Sequence, residues 1–144
     1  MANVIPFTFR GELFSGTHNF ASGGNTFKIA LYTGSIASVY TTASTTVSAT
    51  NEVSTGGSSN YTRKDLSSQA VASGTAVASV DFGDTTWSSA TFTAAYAAIY
   101  NDTAAGDPLV VVLDFGGDKT CTNGTFKITY PDPSTPANAI ISMS

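Results

Sequence analysis

Charge is scarce in this chain, and so are the residues that most chemistry uses. Only 11% of the 144 residues are Asp, Glu, Lys or Arg, against roughly 25% in ordinary globular domains. The six Lys and Arg against ten acids leave a net charge of -4, so no basic patch is expected to neutralise phosphates and no direct nucleic-acid contact is expected. Cys121 is the single cysteine, which excludes an internal disulfide and a zinc site built on cysteines of one chain. There is no run of 18 apolar residues, so no membrane-spanning helix is expected. The opening MANVIPFTFRGEL has neither the basic stretch nor the apolar run of a signal peptide, and the expectation is a protein made and folded in a cytosol.

Catalytic groups are equally thin. His18 is the only histidine, and Glu12 and Glu52 are the only glutamates. Without a Gly-x-Ser-x-Gly elbow His18 makes a poor triad member, and a hydrogen-bonded structural histidine is the better reading. A glycosidase pair could be chosen only arbitrarily. The chain therefore reads as a non-enzyme with no cofactor.

What is present is β-forming sequence. Hydrophobic residues make up 42%, enough for one sizeable core in one domain spanning residues 1–144. The recurring period is two. Phe27, Ile29 and Leu31 alternate with Lys28, Ala30 and Tyr32 before Thr33-Gly34 stops the run, which predicts a strand with two distinct faces. Weaker strand patterns lie at Asn60 to Leu66, Thr75 to Phe82, Thr125 to Tyr130 and Asn138 to Met143. Ala95 to Asn101 and Leu109 to Phe115, joined by DTAAGDP, predict a hairpin. Strands this apolar need cover on both faces, from a second sheet or another subunit. The fold expected is all-β: a single-domain antiparallel β-sandwich, jelly-roll-like, with a short N-terminal helical segment.

Two regions depart from the strand rhythm. Between Phe7 and Phe20, the spacing of Phe9, Leu13 and Phe14 suits a short helix ending before Gly16. Residues 35–59 are rich in Ser, Thr, Ala and Gly, which predicts an exposed excursion or an arm ordered by a partner. The N-terminal segment 1–24 and this excursion are the expected interaction arms. Phe7, Phe9, Leu13 and Phe14 in the first, and Tyr40 and Tyr61 flanking the second, are the interface candidates. Trp87, Tyr96 and Tyr100 could also stack on a sugar, although the two tyrosines lie within a strand pattern and are expected to pack.

The stretches LDFGGDKT (113–120) and VDFGDTT (80–86) share Asp-Phe-Gly, the metal-holding triplet of protein kinases. No Gly-rich loop, strand lysine or catalytic-loop Asp accompanies them, so a kinase is excluded. Asp102 with Asp107, or Asp114 with Asp118, could contribute to a calcium site, but neither spacing matches an EF-hand loop and no metal is expected. The economical reading is that both copies end strands: Phe82 and Phe115 anchor in the core while Asp and Gly make the turn. The three Asn-x-Ser/Thr sequons, at Asn60, Asn101 and Asn123, are read as chance in a Thr-rich chain.

In order along the chain, GTHNF, TFKIALYTGS, TNEVSTGG, VDFGDTTWSSATFTAAYAAIYNDTAAGDPLVVVLDFGGDKT and GTFKITYP resemble a family of small virion proteins of tailed bacteriophages. The resemblance spans nearly the whole chain and brings no catalytic residues with it. It implies a structural component of a particle. The leading expectation is a capsid decoration or cement protein on the outer surface of the major capsid lattice, with the major capsid protein as partner and a homo-oligomer, a trimer, as its own assembly. The alternative is a tail, neck or fibre component, as an adaptor or a host-saccharide-binding module.

Overall fold

The computed structural model describes residues 3–131, 135 and 139–143, and within them the chain forms one short helix and two antiparallel sheets in a sandwich-like arrangement. Helix α1 spans Phe7–Phe14. The strands are β1 (Phe27–Tyr32), β2 (Lys64–Asp65), β3 (Ser67–Ser73), β4 (Ala78–Gly83), β5 (Thr85–Asn101), β6 (Leu109–Ile128) and β7 (Ile141–Met143). The first sheet has the order β2-β1-β5-β6 and the second β3-β4-β7. The strand expected from Asn138 onward begins at Ile141, and residues 136–138 lie outside the described part.

The alternation in β1 explains the layering. Phe27, Ile29 and Leu31 join Phe20, Phe82, Trp87 and Phe126 in the core between the sheets. Ala30 and Tyr32 point the other way, into a second apolar cluster with Ile36, Tyr40, Tyr96, Tyr100 and Val112. β1 and β5 are thus buried on both faces, as their composition requires. The second cover, however, comes from the chain itself. Residues 33–53 fold back over the outer face of the first sheet, with Ile36 and Tyr40 buried and Val39 and Val47 packed against them. The excursion expected to be exposed, or ordered by a partner, is for much of its length a lid on its own sheet.

β5 and β6 form one long hairpin, from Tyr100 opposite Leu109 to Thr85 opposite Ile128. Asn101 organises its turn: Oδ1 accepts the backbone N–H of Thr103 and of Ala104 at 3.1 and 3.2 Å. Its amide reaches the Thr17 carbonyl, Asn25 Oδ1 and His18 Nδ1. Within the hairpin Ser89 and Asn123 take positive φ, and the register shifts on either side of Ala90.

The two Asp-Phe-Gly stretches do different things. In the first, Phe82 is buried near the end of β4, and Asp84 forms the turn into β5. The second ends nothing: β6 runs through it as a wide bulge. Tyr96 stands opposite Asp114 and Ala94 opposite Lys119, so residues 115–118 face Ala95 alone. Asp114 Oδ1 accepts the Gly116 N–H at 2.9 Å, and Gly116 and Gly117 take φ of 71° and 129°. Phe115 is consequently half-buried at the margin of the core rather than an anchor within it. A turn and a bulge ask for the same residues, Asp to bond backbone and Gly to take positive φ.

Candidate interaction surface

Helix α1 carries apolar side chains on two opposite sides, and only one can face the core. At about 100° per residue, Phe9 and Leu13 share one stripe and Phe7 and Phe14 another. Phe9 is buried against His18 and Phe20, and Leu13 is half-buried beside the same cluster. Phe7 and Phe14 remain outside, 61% and 95% exposed. The helix is held in place from both ends. Phe7 donates its N–H to the Thr42 carbonyl at 2.9 Å and Thr8 Oγ1 bonds the Ser44 carbonyl at 3.3 Å. At the other end Glu12 Oε2 meets His18 Nε2 at 2.9 Å. Since His18 Nδ1 accepts from the Asn101 amide at 3.1 Å, the ring proton sits on Nε2 and is donated to Glu12.

Beside this helix the sandwich is open. The inner face of the β3-β4-β7 sheet overhangs the core and leaves a trough of about 760 Å³ lined by Leu13, Phe20, Val71, Val80 and Met143 among others. Val71 and Met143 at its rim are more than half exposed. From Leu66 to Val80 the sequence holds no charged residue, so this side offers apolar and hydroxyl surface with little electrostatic selectivity.

The tyrosine candidates are corrected. Tyr40 and Tyr61 are 2% and 0% exposed, and both are locked in hydrogen-bond networks. Tyr40 donates to the Tyr32 hydroxyl at 2.9 Å, Tyr32 donates to the Ser48 carbonyl at 2.6 Å, and the Ser48 N–H donates back to Tyr40 at 2.7 Å. The Tyr61 hydroxyl accepts the Leu31 N–H at 2.9 Å and donates to Glu52 Oε1 at 2.8 Å. Neither ring can stack on a sugar from here. Trp87, Tyr96 and Tyr100 are buried too. Phe9 leaves the candidate set for the same reason, and Phe7 and Phe14 stay in it with Leu13 at the trough.

Arg63 was not legible as a partner of Glu52, because nothing in the spacing of Glu52 and Arg63 marks a pair. Arg63 also lies over the Tyr100 ring, 5.3 Å from its centroid, and bonds its hydroxyl at 3.3 Å. The bond to Glu52 holds the guanidinium firmly charged, and burial pushes the Tyr61 hydroxyl well above its ordinary range. These groups join the covering segment to the edge of the first sheet. Among the carboxylates considered for calcium, Asp102 is ion-paired with Lys28 at 2.9 Å. Among the described residues no three His, Cys, Asp or Glu side chains come together as a metal cluster.

Compared with known proteins, the chain matches no family model, no curated protein and no solved structure.

Proposed function

We propose that the protein is a structural component of a tailed-phage virion, a decoration or cement protein that lies on the outer surface of the major capsid lattice and stabilises the head. The observation that carries the reading is the outward stripe of α1: two phenylalanines left in water on a helix whose other stripe is already satisfied. Two large apolar rings exposed on one stripe of a helix mark a contact surface, and the trough at Leu13 on the helix's other side is a second apolar opening. The low charge lets many copies sit close together, and weak contacts repeated over a lattice add up through multivalency. The sequence resemblance to small virion proteins points the same way. The saccharide-binding alternative named Tyr40 and Tyr61 as its stacking residues, and both are inside.

The test is copy number in purified particles, by quantitative mass spectrometry against the major capsid protein. On the order of hundreds of copies per particle are expected of a lattice-wide role, since weak contacts gain from repetition. A few dozen would move the protein to the tail or neck, and absence would refute the reading. Deleting the N-terminal segment is a poor probe of attachment, because Phe9 belongs to the core and Val4 pairs with Val112. Phe7→Ser with Phe14→Ser is the suitable variant: the fold should persist and occupancy should fall.

A further inference from the structure

The outer edge of β6 is treated differently along its length. Near the hairpin turn the chain covers it with its own extended segments. Val4 and Val112 exchange both backbone bonds, at 2.9 and 2.8 Å, and Asn3 Oδ1 accepts the Asp114 N–H. Leu109 donates its N–H to the Thr45 carbonyl at 2.9 Å, and the Asp107 carbonyl, just before β6, accepts the Val47 N–H at 3.2 Å. Beyond the bulge no segment among the described residues continues this cover. From Lys119 to Ile128, among the described residues, the strand pairs only with β5.

A groove of about 490 Å³ runs along that uncovered half. It is lined by the apolar Phe115, Cys121, Phe126 and Ile128 and by Lys119 and Lys127 among others. Two cations on one groove are notable in a chain with only six. Lys127 is bonded to Asp84 at 2.7 Å while about half exposed, and Lys119 is exposed.

We propose that this edge is a docking site for an extended acidic peptide segment of another protein, which adds to β6 as a further strand. Unpaired backbone groups give such a segment its affinity, and alternate side chains entering the groove give it specificity. Lysines on a strand edge repel most chance partners. They accept one whose carboxylates lie opposite them, which is charge complementarity of the kind that sets partner choice. The upper half of the same edge already holds two extended segments, so the geometry for strand addition is built into β6. The inference rests on the proposed lattice attachment only in supplying the source of the segment, an arm of a lattice subunit.

The probe is a random short-peptide library selected on the purified protein. Enriched sequences should alternate apolar and acidic residues, and a selected peptide should slow amide exchange from Lys119 to Ile128. Lys119→Glu should weaken it about tenfold, a loss of about 1.4 kcal/mol, and should favour a peptide with Lys in place of the acids. An empty selection, enrichment without acidic residues, or protection only elsewhere would overturn the proposal. Copy number on particles separates the two readings. Wild-type protein missing from particles refutes the lattice role and leaves the peptide result standing. Wild-type protein present, with Lys119→Glu equally abundant, shows that the lattice does not supply the strand.

Discussion

Arg63 holds Glu52 through two parallel bonds, Nε to Oε1 at 2.9 Å and Nη2 to Oε2 at 2.7 Å. Glu52 is largely buried and accepts from Tyr61 as well, so its removal leaves a guanidinium and a phenol without their acceptor. Glu52→Ala is expected to cost about 1.5–3 kcal/mol, the range for hydrogen bonds to a charged group. Chemical denaturation checks this. A change within experimental scatter would mean the pair is held by water as well as by the fold.

All six tyrosines have hydroxyls raised above the ordinary value of 10.0, with burial the largest cause in each. Tyr96 and Tyr130 are pushed up to about 12. A raised value in the folded state means the folded chain keeps its proton longer than the unfolded one. The stability from these groups is therefore complete below pH 10 and lost as pH climbs past it. Ultraviolet titration should show almost no tyrosinate near pH 10, then a single cooperative rise as the protein unfolds. A gradual rise centred on pH 10 would place the rings in water.

Phe82 and Phe115 occupy the same place in two matching triplets but not in the structure. Phe82→Ala should cost about 3–5 kcal/mol, as for a filled core position. Phe115→Ala should cost about 1–2 kcal/mol, since only part of its ring leaves water. Equal losses would mean that the bulge packs as tightly as the turn.

The bulge also tests backbone conformation apart from packing. A Cβ on Gly116 would meet nothing within 4 Å, yet its φ is 71°. Gly116→Ala is expected to destabilise by about 1–2 kcal/mol, and Gly116→Asn by less, because Asn tolerates the left-handed region. Thermal unfolding of the two variants gives the order.

Much of the fold was legible because β1 speaks twice: its odd and even residues enter different clusters, as the period predicted. The helix and the hairpin turn were legible too, from Phe9 and Leu13 and from the Asp and Gly residues between Asn101 and Leu109. The length of β5 was not. Ser89 and the shifts around Ala90 interrupt the alternation just where the strand continues. Tyr40 and Tyr61 were misplaced because small polar neighbours look like surface. Here Ser48 and Glu52 instead satisfy the two hydroxyls and let the rings go inside. Of the interaction surface, Phe7 and Phe14 could be named from sequence, but which helix stripe faces water depends on where Phe20 and His18 pack.

The order of the strands has a consequence during synthesis. β1 sits between β2 and β5, and β5 in turn needs β6. Phe27–Tyr32 thus emerges from a ribosome well before β5, its long partner. The β5–β6 hairpin can close on itself at once through local contacts, whereas β1 and the segment that lids it must wait for partners far along the chain. During that wait a six-residue apolar strand with only one charge stands bare, its backbone open to chance pairing with other unfinished chains.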